Sequence, residues 1–323
     1  MGRRWATTGA MALVTAVASL ALTTPAAAAE PPAVPAPVPA PAAPAPLPGD
    51  DPFNPSPPGA NDWNCRPGAE HPNPVVLAHG LTANRGDNWG YIAPALEQRG
   101  YCVFALTYGQ NPAVPAAFRG IGGLTAMEDS AREFGGFVDR VLAATGAKKV
   151  DIVGHSEGSL MPNYYIKFLG GAKHVDRYVG MTPLWDGTRL YGVDQLNRTA
   201  RGLGLDPALA ATLDPYCTSC RQFLRGSDFL KKMSSGGGPA VPGVTYTMII
   251  TRFDEVVIPY TSGLLDGARN IVLQRGCPTD VAEHIAVSYD PVTLQHIQNA
   301  LDPAHAAPVR CVPFGPLSPL ARR

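Results

Sequence analysis

The chain has 323 residues, with 26 Lys or Arg against 26 Asp or Glu, so its formal charge is zero. That balance, with no basic stripe along the chain, excludes the electrostatic footprint of a nucleic-acid binder. With 45% hydrophobic residues at this length, the chain can bury a full core.

Arg3 and Arg4 open the chain, followed by an uncharged apolar run over 10–23, Pro25 and a run of alanines over 26–29. This pattern predicts a signal peptide over 1–29 and a secreted mature protein. The run falls short of the roughly 20 residues a membrane helix needs, so no transmembrane segment is expected. Removing 1–29 takes away two arginines and no acid, leaving 24 basic residues against 26 acidic. Residues 30–60 are mostly Pro and Ala. Such a segment buries too little apolar surface to offset its ordering entropy and reads as a disordered linker. Residues 61–319 remain as one α/β domain.

Within that domain, residues 74–78 (PVVLA) read as a buried strand, 89–98 as a helix, and 102–107 (CVFALT) as the next strand. A long amphipathic helix is expected over 124–144, closed by Gly146, then a strand at 150–153 (VDIV) and a helix over 157–169 closed by Gly170. Strands follow at 178–182, 244–251 and 270–273, and a last helix at 292–301. The strands are continuous apolar runs rather than alternating ones, as in a mostly parallel sheet covered by helices on both faces. Residues 186–240 carry no convincing strand. They hold an apolar helical piece at 203–213, and they read as a lid-like or cap-like insert before the strand at 244–251.

Cys65, Cys102, Cys217, Cys220, Cys277 and Cys311 are even in number in a chain read as exported, which predicts disulfides. Six cysteines allow fifteen pairings. Pairing neighbours along the chain gives Cys65–Cys102, Cys217–Cys220 and Cys277–Cys311. A single C-x-x-C with no second pair argues against zinc.

The strongest chemical signal is Gly154-His155-Ser156-Glu157-Gly158. It follows a short buried strand and opens a helix, the setting of the nucleophile elbow of the α/β-hydrolase fold. Ser156 is the expected nucleophile. A serine hydroxyl needs a base to take its proton, and in this fold the partners follow in the order Ser, Asp or Glu, His. Asp254, just past the strand at 244–251, is the expected acid; Glu255 is the alternative, and Asp186 a weaker one. Among the later histidines, His284 lies in the loop before the last helix, whereas His296 sits inside that helix and His305 in the terminal tail. His284 is therefore the expected base. His71, His79, His155 and His174 have the wrong chain order, and His79 reads as a structural residue of its loop. The oxyanion donors are expected to be the backbone N–H groups of Leu81 and Glu157. Neither a metal nor another cofactor is required.

VVLAHGLTAN (75–84), VDIVGHSEGSLMP, TRFDEVVIPYTS and EHIAVSYDPVTLQHIQNALDP together resemble secreted triacylglycerol lipases of actinobacteria, in the class 2 bacterial lipase group. The resemblance spans about 74–303 and implies Ser156, Asp254 and His284 as the triad, with Leu81 and Glu157 at the oxyanion. Two departures stand out. Many relatives carry Gln where this chain has Glu157, and relatives often have Asn-His-Gly where it reads Trp185-Asp186-Gly187. The latter lies near the expected acyl pocket, so Trp185 is a candidate substrate-binding residue and a core position equally.

The expected function is hydrolysis of carboxylic esters, with a lipid or other water-insoluble ester as substrate and transient contact with a lipid interface. A carboxylesterase or polyester hydrolase of the same fold is the alternative. An inactive binding module on a Pro-rich stalk is the non-enzymatic one.

Overall fold

The computed structural model describes residues 54–315. The signal peptide read at 1–29, the linker up to residue 53 and the tail beyond 315 lie outside the described residues. Every described residue belongs to the second of two compact units of the chain, Ala40–Arg323.

The elements run β1 (Val75–Ala78), α1 (Arg85–Trp89), α2 (Ile92–Glu97), β2 (Val103–Leu106), α3 (Met127–Thr145), β3 (Val150–His155), α4 (Met161–Phe168) and β4 (Val175–Met181). Then come α5 (Val193–Gly202), α6 (Asp206–Cys217), α7 (Ser219–Gln222), α8 (Asp228–Ser234), β5 (Thr245–Ile250), β6 (Arg269–Val272), α9 (Leu273–Gly276) and α10 (Pro291–Leu301). The six strands form one sheet in the order β2-β1-β3-β4-β5-β6, and each neighbouring pair is parallel. Side chains alternate across a strand, so β1 sends Val76 and Ala78 into one core and Val75 and Leu77 into the other. The first core is covered by α3 and α4 through Phe134, Val138, Met161 and Tyr165. The second is covered by α1, α2 and α10 through Trp89, Ile92, Leu96 and Ile297. Both faces are thus sealed, which is why the strands lack a polar alternation.

Where helix ends were expected at glycines, the backbone gives the reason. Gly146 takes φ +72 and its N–H closes on Leu142 O at 2.9 Å, a left-handed cap that a side chain would resist. The helix expected at 89–98 is two short ones instead. Asn84 caps α1 with a reciprocal Asp87 bond, and the chain breaks at Gly90 and Tyr91 before α2. The domain also begins earlier than residue 61. Asn54 and Ala60 are buried, and Ala60 pairs with Val103 at the edge of β2. The Asn61 side chain completes that edge, its amide donating to Ala105 O and its oxygen accepting from Ala105 N–H, both at 2.9 Å. An edge strand with unmet N–H and C=O groups invites such a cover.

The insert between β4 and β5 falls into two parts. Its second part is bolted down: Phe223, Leu224, Phe229, Leu230 and Met233 are buried in the first core. Gln222 accepts from Met127 N–H at 2.7 Å, capping the start of α3 from outside. Lys167 on α4 donates to the carbonyls of Met233, Ser235 and Gly238 at 2.7, 2.5 and 2.6 Å. Its first part is different. No residue of α6 is buried, and α5 buries only Asp194 and Asn197 while Leu196 stands 70% exposed. The apolar piece expected at 203–213 is interrupted, because Gly204 at φ +73 separates α5 from α6.

The three disulfides are Cys65–Cys102, Cys217–Cys220 and Cys277–Cys311. The first closes a loop of 37 residues and the second one of 3. In the chain-entropy view, replacing Cys65 and Cys102 by alanine lowers the unfolding free energy by roughly 4 kcal/mol, and removing Cys217–Cys220 by under about 2 kcal/mol. Urea midpoints of the two double variants check that order.

Candidate active site

The site is built at the carboxyl ends of the strands. β3 ends at His155, and the chain turns sharply into a single helical turn, Ser156–Ser159. Ser156 sits at φ +55, a left-handed conformation that a non-glycine residue adopts only when its surroundings impose it. Those surroundings explain both glycines of the motif. A Cβ on Gly154 would lie 1.9 Å from Gly158 O, and one on Gly158 would lie 2.0 Å from Ala78 O. The turn is pressed against itself and against the end of β1, and no side chain fits at either position.

The structure brings Ser156, His284 and Asp254 together. Ser156 Oγ is 2.9 Å from His284 Nε2, and His284 Nδ1 lies 2.9 and 3.0 Å from the two carboxyl oxygens of Asp254. All three are buried from solvent or nearly so. Asp254 Oδ1 also accepts from Val256 N–H at 3.0 Å and Val257 N–H at 2.7 Å, which fixes the carboxylate within its own loop. That loop is tied at both ends. Thr188 donates from Oγ1 to Val256 O at 2.6 Å and accepts from Ile258 N–H at 3.1 Å. Thr251 donates to Ala282 O at 2.6 Å, joining the loop to the segment that carries His284.

The alternatives fall elsewhere. Glu255 reaches the backbone of the histidine, accepting from His284 N–H at 3.2 Å, and not its ring. Asp186 is exposed and paired with Arg225. His296 stays on α10, where burial lowers its pKa to about 4, and His305 is exposed beside Asp302. His79 is a fully buried strut: it lies 2.7 Å from Gly80 O, accepts from Tyr108 N–H at 3.2 Å and stacks on the Tyr108 ring. Burial holds it neutral, lowering its pKa to about 4.

Leu81 and Glu157 line the same cleft as Ser156. Among the described residues, neither backbone N–H donates to a protein acceptor. The cleft has a volume of about 580 Å³, and Leu81, Leu184, Phe223, Val256, Ile285 and Tyr289 give it apolar walls. Trp185 is not among them, which corrects the expected substrate-binding placement. Its indole is buried in the first core, with Nε1 3.2 Å from Met248 Sδ and the ring beside Tyr178. The apolar bulk of the indole packs against side chains of β4 and β5, and its neighbour Leu184 faces the cleft instead.

Sequence reasoning missed two residues, Asn88 and His155. Asn88 Oδ1 accepts from Gly80 N–H at 3.0 Å and faces His155 Nδ1 at 2.9 Å, while His155 Nε2 lies 2.8 Å from His284 O. The chain Gly80–Asn88–His155–His284 therefore links the loop after β1 to the loop of the histidine. Both partners of the His155 ring are acceptors, and a neutral imidazole has one N–H to give. Burial opposes the cation and lowers the pKa to about 3. The only sequence signal was adjacency to Ser156, and chain order had set His155 aside.

Among the described residues, no cluster of His, Cys, Asp or Glu could hold a metal ion, and no helix is long and apolar enough to cross a membrane.

Known proteins share this frame. The chain is similar to Aspergillus fumigatus lipase B, with a TM-score of 0.58 at 20% identity, over 79% of this chain and 57% of that one. It is also similar to the mature form of the Bacillus licheniformis lipase BlEst2, with a TM-score of 0.53 at 14% identity, over 73% of this chain and 94% of that one. In sequence, 96 residues are 33% identical to a triacylglycerol lipase of Pseudarthrobacter phenanthrenivorans and, separately, to one of Burkholderia plantarii. These matches cover 28% of this chain and only 27% and 24% of those relatives. Residues 72–296 match the model of the lipase (class 2) family. With its parallel sheet, its elbow and a match over most of its length, this chain has the α/β-hydrolase fold and belongs to the lipase (class 2) family.

Proposed function

We propose that the chain is a secreted serine hydrolase that cleaves carboxylic esters, acting as a triacylglycerol lipase of the actinobacterial type. The observation that carries the reading is the line of contacts from Ser156 Oγ through His284 to Asp254, at 2.9 Å each, opening on an apolar cleft. His284 Nε2 takes the Ser156 proton as Oγ bonds to the ester carbonyl carbon. Asp254 accepts from Nδ1–H, sets the tautomer and stabilises the imidazolium. Leu81 and Glu157 N–H groups receive the oxyanion. His284 then protonates the leaving alcohol, and water repeats the sequence on the acyl-enzyme, releasing the acid and free Ser156.

Two observations favour a lipid substrate and export. The insert that supplies Phe223 to the cleft also presents Tyr191, Leu196, Leu203 and Leu205 to solvent. Single exposed apolar residues are ordinary, but a group of them suits a lipid interface. The three disulfides fit an oxidising compartment outside the cell.

Hydrolysis of a triacylglycerol series is expected to rise severalfold once substrate passes its solubility limit. A rate that stays flat across that limit, with cleavage of short soluble p-nitrophenyl esters alone, would make the protein a carboxylesterase. No turnover of any ester would leave the binding module.

A further inference from the structure

The Glu157 side chain takes no part in the acyl-transfer steps themselves. Any role it has in turnover rests on the reading that the backbone N–H of the same residue serves the oxyanion. The residue is 1% exposed, and neither carboxyl oxygen has a hydrogen-bond partner. Both oxygens lie against Gly123, where a Cβ would sit 3.3 Å from each and 3.1 Å from Leu81 Cα. The carboxyl is therefore packed behind the same stretch of chain that presents Leu81.

Two hydroxyls face this carboxyl from different elements, and both are engaged elsewhere. Tyr108, just past β2, donates to His79 O at 2.7 Å. Ser219, the first residue of α7, donates to Gly123 O. The other titratable groups around it bring no positive charge. His79 is neutral and stacked on Tyr108. Tyr178 of β4 is buried and keeps its proton. Glu133 of α3 is an acid already bonded to Gly109 N–H at 2.9 Å. On α7 itself, Arg221 is committed to Asp206 and Asp214 at 2.9 and 2.8 Å. A carboxylate in this position would be desolvated with neither a cation nor a free donor to compensate.

We infer that Glu157 is a neutral carboxylic acid in the working enzyme, and that loss of its proton switches acyl transfer off from the alkaline side. Burial pushes the group well above the usual carboxylate range and outweighs the opposite pull of the nearby Ser219 and Tyr108 hydroxyls. Ionisation would have two effects. A negative charge would stand one residue from the nucleophile, in a site with little water to screen it, and would oppose the oxyanion. The carboxylate would also draw the Tyr108 and Ser219 hydroxyls away from the carbonyls of His79 and Gly123. The first carbonyl lies two residues before Leu81, and the second belongs to Gly123, on the segment packed against Leu81 Cα.

The test is the pH profile of kcat/KM on a soluble ester from pH 5 to 11 for wild type, Glu157→Gln and Ser219→Ala, each scaled to its own plateau. Wild type is expected to lose tenfold per pH unit above its alkaline break. Glu157→Gln moves that break up by at least one unit or removes it. Ser219→Ala moves it up too, since the carboxylate loses a donor it would recruit. Thermal unfolding gives a second readout, independent of turnover. An acid whose folded pKa is raised contributes stability below its unfolded pKa and loses it as pH rises towards the folded one. The Tm of wild type should therefore fall behind that of Glu157→Gln progressively between pH 5 and 9. An unchanged break in Glu157→Gln, or a Tm gap that does not vary with pH, overturns the proposal. Wild type that is inert at every pH overturns the hydrolase reading and the switch with it, and a widening Tm gap in that case would mark the failure as that of the reaction rather than of the neutral acid.

Discussion

Ser156→Ala should lower kcat on a p-nitrophenyl ester by roughly a millionfold, the scale seen when a serine hydrolase loses its nucleophile. The variant loses one oxygen, the one 2.9 Å from His284 Nε2, and with it the covalent intermediate. What survives is the cleft, the two free N–H groups of Leu81 and Glu157 and an imidazole with nothing to deprotonate, which together leave a residual rate of about 10³–10⁴ over water. Folding should be little affected. Alanine meets the same φ of +55 and fits where a larger residue would press on Gly80, whose own added Cβ would already stand 3.2 Å from Ser156 Cβ. Labelling by a serine-directed phosphonate should disappear in parallel. A variant that keeps more than one hundredth of the wild-type rate would remove Ser156 from the reaction.

Asp254→Asn and Glu255→Gln, measured side by side, should separate the two adjacent acids by about three orders of magnitude. Asn at 254 can keep its amide oxygen on the N–H groups of Val256 and Val257, the bonds that now hold Oδ1. Its NH₂ then faces His284 Nδ1, which must accept rather than donate. The ring is forced into the tautomer with the proton on Nε2, where it cannot take one from Ser156, and a fall of roughly 10⁴ in kcat is expected. Gln at 255 still accepts from His284 N–H through its amide oxygen, the contact now 3.2 Å long. One altered neutral hydrogen bond is worth about 1 kcal/mol, or less than about tenfold in rate. Equal losses in the two variants would mean that the histidine is oriented by something other than Asp254.

What could be read from the sequence was what local chemistry dictates. Parallel strands buried on both faces appear as short apolar runs, so β1, β2, β3 and β5 stood out within a residue or two. The elbow was legible because a turn this tight admits only glycine at 154 and 158. What escaped depends on contacts between distant segments. Gln222 caps α3 from 95 residues away, and nothing near Met127 announces it. Asn61 reads as one more polar residue after a proline-rich stretch, yet it closes the edge of β2 across 44 residues. Trp185 was ambiguous because either side of the chain after β4 can take a large ring. His155 was set aside by chain order, a rule about proton transfer that says nothing of residues that only hold others in place.

Lys167 decides which part of the insert is free. Its ammonium gives all three protons to carbonyls of residues 233, 235 and 238. It does so next to Gly236, Gly237 and Gly238, all at positive φ, a path that only glycine takes without strain. The insert is thereby clamped at its downstream end by one charge, as it is by the side chains of α7 and α8 sunk in the core. At the upstream end Thr188, fully buried, ties the insert to Val256 and Ile258, and α5 and α6 span the stretch between that tie and the short loop closed by Cys217–Cys220. Mechanically the insert is a strap fixed at both ends, and any movement that widens or narrows the mouth of the cleft falls to α5 and α6, the span whose side chains stay out of the core.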